Sequence, residues 1–428
     1  MFHFEKKVLD NGLRVIVAPM ENTEAVTLLA LVGVGSRYEP FRVHGISHFL
    51  EHLFFKGTKR RPNPGDINKE LNMMGAEHNA FTSKETTGFW VKSSAKDFDK
   101  SLDIVSDILL ESLFKEEEIK KEKGVILQEI NMYEDEPRRK VIDILENIIY
   151  DRQPIGRDIL GTKDSIKKIK RQDILNYKDN NYFSKNIVVV VAGNTKEDVA
   201  FKKIEEKFIR MKKGNNKKPK KTLIRQKFPT VKIINKDIDQ THLTLAFRAY
   251  DMFDEKRYIL NLISVILGGY SSSKLSMEIR EKMGLAYYVY SYGDQYMDCG
   301  YLGIGTGIPH DKLKIVVKKI AEILKNAKKG GITKNDLDHA KSYLRGQMAL
   351  RFEGSDEVAY FIAGQEIFYK KIMQPIDIIK KIEKVSQNDI VKVAKDIFRS
   401  DRINMAVMGN HKDLIKKEKY YKKLFLEI

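Results

Sequence analysis

Two stretches of this chain repeat one pattern at a distance of 216 residues. In the first, Asp173-Ile174 precedes the apolar run 189–194, which reads Val-Val-Val-Ala-Gly-Asn. In the second, Asp389-Ile390 precedes the run 405–410, which reads Met-Ala-Val-Met-Gly-Asn. A repeat of this length indicates a duplicated domain, and 428 residues are enough for two domains.

A basic segment separates the two copies. Between Lys212 and Lys227 there are eight basic residues and no acidic one, together with glycine, asparagine and proline, which is the composition of an exposed linker. We therefore predict a first domain over 1–211, a basic linker over 212–228 and a second domain over 229–428. In each copy, strand-like runs are followed by long amphipathic segments. This pattern predicts an α+β fold of two tandem homologous domains, each with an antiparallel sheet packed against long helices.

Residues 48–52 read His-Phe-Leu-Glu-His and carry the strongest chemical signal. On a helix, positions three and four apart are neighbours, so His48, Glu51 and His52 face the same way. Two imidazoles at this spacing can bind zinc, and the adjacent carboxylate can accept a proton from water. The alternative is a hydrogen-bonded cluster in the core. The surrounding positions are strongly apolar, and burying these groups without partners would be costly, so the pattern favours a zinc site.

A catalytic zinc ion usually has three protein ligands, so a third donor is required. The nearby candidates are Glu70, Glu77, His78 and Glu85. A stronger candidate is Glu129, in a predicted helix over 115–133. The helical period places Glu129 with Val125, Ile126, Met132 and Tyr133 on an apolar face, and Glu122 projects in almost the same direction. From this local pattern, Glu129 is either a zinc ligand or a buried salt-bridge partner.

The zinc motif has glutamate directly before the second histidine, the inverse of the commoner His-Glu-x-x-His. It is preceded by Gly-Ser-Arg-Tyr-Glu at 35–39 and followed after 76 residues by Glu129. With these features the chain resembles the pitrilysin and insulin-degrading-enzyme family of inverted zinc peptidases. It is most similar to the short bacterial relatives of the mitochondrial processing peptidase beta subunit. The resemblance spans essentially the whole chain.

The resemblance implies a role for each motif residue. It makes Glu51 the general base and Glu122 a carboxylate that orients a zinc ligand. The zinc ligands that it implies are His48, His52 and Glu129.

The resemblance also implies substrate contacts. The segment Asn79-Ala80-Phe81-Thr82 is similar to the edge strand with which the family binds an extended peptide by main-chain hydrogen bonds. Arg280 and Tyr287 match an Arg and Tyr pair that contacts the substrate near the zinc. From local pattern alone, both residues would be interpreted as structural.

The second copy lacks the metal-binding residues. Its counterpart of the zinc helix, 258–270, contains no His, Asp or Glu, and the segment 340–352 opposite Glu129 contains no acid. We therefore expect one Zn²⁺ per chain. The family's long members close four such domains into a chamber, so a chain with two implies a homodimer. By the same analogy, Arg280 and Tyr287 are expected to approach the zinc of the partner subunit, with completion of the site within one chain as the alternative. A dimer with a separate inactive partner is the alternative to the homodimer.

Composition limits the remaining possibilities. The net charge of +18 falls to +10 without the linker, and no basic motif interleaved with aromatic residues accompanies it, so we expect no nucleic-acid partner. No apolar run approaches a membrane span, and we expect no membrane partner. The single cysteine, Cys299, excludes an intrachain disulfide, and the predicted location is cytoplasmic. The predicted function is a zinc-dependent endopeptidase acting on unfolded peptides in a dimeric chamber. The alternative is a non-catalytic scaffold subunit of the same fold.

Overall fold

The computed structural model describes residues 2–215 and 218–428. Residues 216 and 217 of the predicted linker lie outside the described residues. The strands are β1 Glu5–Val8, β2 Arg14–Pro19, β3 Ala25–Val32, β4 Glu77–Thr82, β5 Thr87–Ser94, β6 Ile187–Gly193, β7 Thr230–Asn235, β8 Thr241–Ala249, β9 Tyr288–Gln295, β10 Gly300–Ile308 and β11 Ile403–Gly409.

Helices provide most of the remaining regular structure. They are α1 Ile46–Phe54, α2 Asp66–Met73, α3 Phe98–Glu111, α4 Glu116–Glu134, α5 Pro137–Ile149, α6 Lys163–Lys168, α7 Arg171–Asn181, α8 Glu197–Phe208, α9 Arg257–Gly268, α10 Leu313–Lys328, α11 Lys334–Arg351, α12 Ser355–Tyr369, α13 Pro375–Glu383, α14 Gln387–Ile397 and α15 Leu414–Phe425. A π-helical segment covers Ser276–Lys282. Within the described ranges, no helix is both long and apolar enough to cross a membrane.

The chain forms two compact units, and each contains sequence from both predicted domains. Among the described residues, the first unit comprises those within 1–131, 158–220 and 348–376. The second comprises residues 132–157, 221–347 and 377–428. Helix α5 thus belongs to the second unit and α12 to the first. The predicted domain boundaries at 211 and 229 separate the two copies of the duplicated sequence. They stay a prediction, because the compact units are defined by packing and not by the order of the chain.

The first unit is built on a six-stranded sheet in the order β1-β2-β6-β3-β5-β4. Neighbouring strands are antiparallel except for the parallel pair β2 and β6. One face packs on α12, whose Val358, Ala359, Ile362 and Ala363 are fully buried against the strands. Strand β4 lies at the edge of the sheet, next to β5. The edge strand β4 therefore lies beside the helices that pack on the face opposite α12.

The second unit has a five-stranded sheet in the order β7-β11-β8-β10-β9, with β7 and β11 parallel. Helix α5 packs on one face through residues such as Val141 and Leu145. At the edge, three tyrosines of β9 lie across three glycines of β10, where a Cβ atom would come within 2.7 Å of a tyrosine ring. The pairs are Tyr288 with Gly307, Tyr290 with Gly305 and Tyr292 with Gly303.

The predicted fold class is confirmed: two sheets of mainly antiparallel strands are packed with long helices. Each sheet also contains one parallel pair of strands, β2 with β6 and β7 with β11.

Candidate metal centre

Helix α1 carries His48, Glu51 and His52 and is buried along most of its length. Its N-terminus is capped by Glu39, whose carboxylate oxygens accept hydrogen bonds from the backbone N–H groups of Gly45 (2.6 Å) and Ser47 (2.8 Å). A carboxylate here satisfies donors that lack helical partners and complements the helix dipole. Glu39 therefore fixes where the helix begins. Glu39 belongs to the Gly-Ser-Arg-Tyr-Glu segment noted in the sequence, but no local sequence pattern indicated that its side chain caps α1.

The segment 35–39 also fixes the hairpin between β4 and β5. The backbone N–H of Ser36 donates to the carbonyl of Ser83 at 3.1 Å. A Cβ on Gly35 would lie 2.2 Å from the same carbonyl oxygen, so only glycine fits. Arg37 and Glu85 form a buried ion pair beside this contact. One short segment thus connects the start of α1 to the hairpin that follows β4.

Three side chains meet at one point. Nε2 of His48 lies 3.6 Å from Oε2 of Glu129, and Nε2 of His52 lies 3.5 Å from the same oxygen. The three ligand atoms all lie within 4.8 Å of one another. Ligand atoms around a tetrahedral zinc ion, with bonds of about 2.0–2.1 Å, are roughly 3.4 Å apart. The donor set and its spacing therefore fit zinc.

His52 is oriented by Glu122. Its Nδ1 lies 3.1 Å from Oε2 of Glu122, and since an ionised carboxylate only accepts, Nδ1 carries the hydrogen. The lone pair of the neutral ring is then on Nε2, the atom that points to Glu129. Lys56 pairs with the other oxygen of Glu122 at 2.7 Å. Lys56 was not singled out from the sequence, where a lysine four residues after His52 looks like an ordinary solvated charge.

Glu51 lies next to this cluster and is held by Thr82. The Thr82 hydroxyl donates to Oε2 of Glu51 at 2.6 Å. Burial raises the pKa of Glu51, and the hydrogen bond from Thr82 opposes part of that rise. The raised pKa makes this carboxylate a better proton acceptor than an ordinary exposed glutamate, and it lies beside the three ligand atoms.

His52 and its hydrogen-bond partner Glu122 have opposite pKa shifts. Burial by itself lowers the pKa of His52, but its hydrogen bond with Glu122 and the neighbouring carboxylates outweigh this effect and raise it. Burial by itself raises the pKa of Glu122, but the hydrogen bonds from His52 and Lys56 outweigh it and lower the pKa. Three carboxylates around two imidazoles concentrate negative charge, which a divalent cation would neutralise.

The predicted helix over 115–133 is observed as α4, but its buried face differs from the predicted one. Val125 is 48% exposed and Met132 is 58% exposed, whereas Ile119, Glu122 and Ile126 are buried. The predicted apolar face around Glu129 was therefore wrong in part. Glu129 lies at the border of the buried face, which lets its carboxylate reach the histidines. The helical period identifies a helix but does not by itself locate such a border.

The other candidates for the third ligand have different partners or positions. Glu70 pairs with Arg61 through two hydrogen bonds of 2.9 and 2.7 Å. Glu85 is occupied by Arg37, and Nδ1 of His78 faces the carbonyl of Ala76. Glu77, on β4, is exposed. Among the described residues, the only other grouping of three ligand atoms is His3, Glu5 and Glu197, which is largely exposed.

The predicted substrate strand coincides with β4, and its side chains alternate between two faces. Thr82 points to α1, as its bond with Glu51 shows. Phe81 points to the opposite face, where its ring centroid lies 5.6 Å from that of Tyr360. By alternation, Ala80 shares the side of Thr82 and Asn79 that of Phe81. The edge strand is thus placed beside the candidate metal centre, and its pairing with a peptide stays a prediction.

Arg280 and Tyr287 belong to the second unit. Arg280 lies in the π-helical segment, and Tyr287 directly precedes β9 and is 87% exposed. Their predicted contact with substrate stays a prediction, since the geometry above concerns the first unit alone.

A helix carrying an inverted His-x-x-Glu-His motif, a distant glutamate that meets both histidines and two α+β units define the class of inverted-motif metallopeptidases. Residues 14–163 match the family described as insulinase, peptidase family M16, and residues 168–344 match the M16 inactive domain. The chain belongs to the M16 peptidase family. It is 33% identical to an uncharacterized zinc protease of Bacillus subtilis over 91% of this chain and 95% of that protein. It is 35% identical to an uncharacterized zinc protease of Rickettsia felis, over 93% and 96% respectively.

Solved structures share the fold over nearly the whole chain. A protease from Helicobacter pylori is similar with a TM-score of 0.90 and 26% identity, covering 95% of this chain and 99% of that one. A peptidase M16 inactive domain from Pseudomonas fluorescens has a TM-score of 0.88 at 17% identity, covering 96% and 98%, and supports the fold alone. The resemblance to this family is therefore confirmed.

Proposed function

We propose that this protein is a zinc-dependent endopeptidase that cleaves unfolded peptides. The observation that carries the proposal is the convergence of His48, His52 and Glu129 on one point next to Glu51. The relatives named zinc proteases support a peptidase-type function. The family match to an inactive domain covers residues 168–344, which do not include these four residues. The complete donor set disfavours the alternative of a non-catalytic scaffold.

The residues of the chain would share the reaction as follows. His48, His52 and Glu129 would hold the ion, which when bound supplies Lewis acidity that polarises a peptide carbonyl and makes water more acidic. Glu51 would accept the proton of the attacking water and transfer it to the leaving amine. Glu122 would keep His52 in the tautomer that offers Nε2.

Substrate would bind as an extra strand. The outer edge of β4 offers backbone N–H and C=O groups to an extended peptide, and only an unfolded chain can pair in this way. Arg280 and Tyr287 would contact the peptide or stabilise the developing oxyanion. We further propose that two copies of the chain form a homodimer around a chamber, with one zinc ion per chain, in the cytoplasm.

The central test replaces the proposed base. We expect Glu51→Gln to keep the fold and one zinc ion per chain but to cleave no peptide, because an amide cannot accept the proton. Hydrolysis of an unstructured fluorogenic peptide and zinc content by mass spectrometry would be measured together. Wild-type protein stripped by a chelator and reloaded with zinc is the control. Undiminished turnover by Glu51→Gln would exclude Glu51 as the base.

A further inference from the structure

Strand β4 contributes a side chain to the metal centre as well as an edge. The Thr82 hydroxyl donates to Oε2 of Glu51 at 2.6 Å, a short hydrogen bond to a charged acceptor. Thr82 is half-buried and is the last residue of β4, where it pairs with Thr87 of β5. The family match and the relatives do not assign a role to this hydroxyl.

The backbone around Thr82 is held from two directions. In the turn that follows it, Ser83 and Thr86 are joined by a backbone hydrogen bond of 2.8 Å and by a contact of their hydroxyls at 2.9 Å. The turn is also bonded to the segment 35–39, through Ser36 to Ser83 and through Arg37 to Lys84. The same segment caps α1 through Glu39. The segment 35–39 therefore holds both the turn that follows Thr82 and the helix that carries Glu51.

We propose that Thr82 is a positioning residue for the general base, an inference that rests on the proposed function. Its hydroxyl holds one oxygen of Glu51, which fixes the rotation of the carboxylate and leaves the other oxygen to take the proton. The backbone of the same strand is the proposed partner of the peptide. Peptide pairing and alignment of the base therefore depend on a single strand, with backbone and side chain in separate roles.

The test compares Thr82→Val with Thr82→Ser. Valine has nearly the shape of threonine and suits a strand, so the substitution replaces the hydroxyl with a methyl group and keeps the rest of the side chain. General-base catalysis contributes about 100- to 10,000-fold, and we expect the valine variant to lose about 10-fold in kcat with KM within about twofold. Serine restores the donor and should return kcat to within about threefold of wild type. Thr230→Val, on β7 of the second unit, is the matched control and should behave as wild type.

Peptide binding by uncleaving protein gives a second readout. Glu51→Gln and Glu51→Gln/Thr82→Val should bind an unstructured peptide with the same Kd, because the hydroxyl serves the base and not the substrate. Zinc content should stay at one ion per chain in every variant.

Three results would overturn the inference. They are an unchanged kcat in Thr82→Val, an equal loss in the serine and valine variants, and a raised KM or Kd with kcat preserved. If wild-type protein shows no zinc-dependent hydrolysis, the proposed function itself fails. If wild type is active and Glu51→Gln is not, a wild-type kcat in Thr82→Val rejects the positioning role alone.

Discussion

At the scale of single residues, the metal centre depends on how each ligand is oriented. His52 offers Nε2 to the cluster because Glu122 holds Nδ1, and Lys56 in turn holds Glu122. Partners of metal ligands typically change metal affinity by about 10- to 100-fold when they are substituted. The orientation of His52 therefore matters as much as its presence in the motif.

We predict that Glu122→Gln weakens zinc binding by about 10-fold or more, because a neutral amide polarises the imidazole less than a carboxylate does. Zinc affinity would be measured by competition with a chelator. The matched control is Glu118→Gln, since Glu118 is also buried on α4 but pairs with Lys121. Equal zinc affinity in wild type and Glu122→Gln would show that Glu122 does not support zinc binding.

At the scale of elements, a chain of hydrogen bonds joins the end of β11 to β8 in the second unit. Nε2 of His310 faces the carbonyl of Ile238 at 2.9 Å, so its Nδ1 accepts from the Thr241 hydroxyl at 2.8 Å. The Thr241 oxygen lies 2.9 Å from Nε2 of His411, which must then donate. Nδ1 of His411 faces Lys417. Every member of this chain is satisfied only when both histidines are neutral.

This network predicts a pH dependence of stability. Burial, together with the electrostatic effects of Lys417 and His310, lowers the pKa of His411 to about 4. The unfolded chain, with a histidine pKa of about 6.5, binds more protons between these values, so stability falls as the pH falls from about 6.5 to 4. We expect His411→Gln to reduce the stability lost between pH 7 and pH 4.5 by an amount of order 2 kcal/mol.

The measurement is the unfolding midpoint in denaturant at both pH values. His339→Gln, which alters an exposed histidine on α11, is the control and should follow wild type. The same loss of stability in wild type and His411→Gln would show that His411 does not carry the effect.

At the scale of the whole molecule, the proposed dimer raises the question of which chain completes each site. If Arg280 acts across the dimer, a heterodimer of Glu51→Gln and Arg280→Ala chains has one intact site. Random pairing makes half of the dimers mixed, so co-expressed chains should recover about one quarter of wild-type activity. Each variant alone should be nearly inactive.

The unfractionated mixture would be assayed first. The mixed dimers would then be purified through two different tags, which should raise the recovery to about one half, and their native mass and zinc content would be measured beside their peptidase activity. Recovery supports a shared site in a homodimer. Absence of recovery in a verified mixed dimer favours completion of the site within one chain, and a monomeric mass would reject the dimer.

The sequence by itself determined the metal-binding helix and the class of fold. His48, Glu51 and His52 lie within one turn or so of a helix, and their shared direction follows from helical geometry, which is local. The apolar runs and the repeat at 216 residues likewise indicated two copies of an α+β domain. The role of Glu129 came from a family resemblance, because no local pattern relates residues separated by 76 others.

Only the tertiary structure decided which elements pack together. The amphipathic patterns of α5 and α12 predict helices but do not state which sheet each one covers, and each packs in the unit formed mainly by the other half of the chain. The tertiary structure also decided the contacts of Glu39, Lys56 and Thr82. A polar side chain meets its partner only when distant segments pack together. The free energy of that packing cannot be read from the spacing of neighbouring residues.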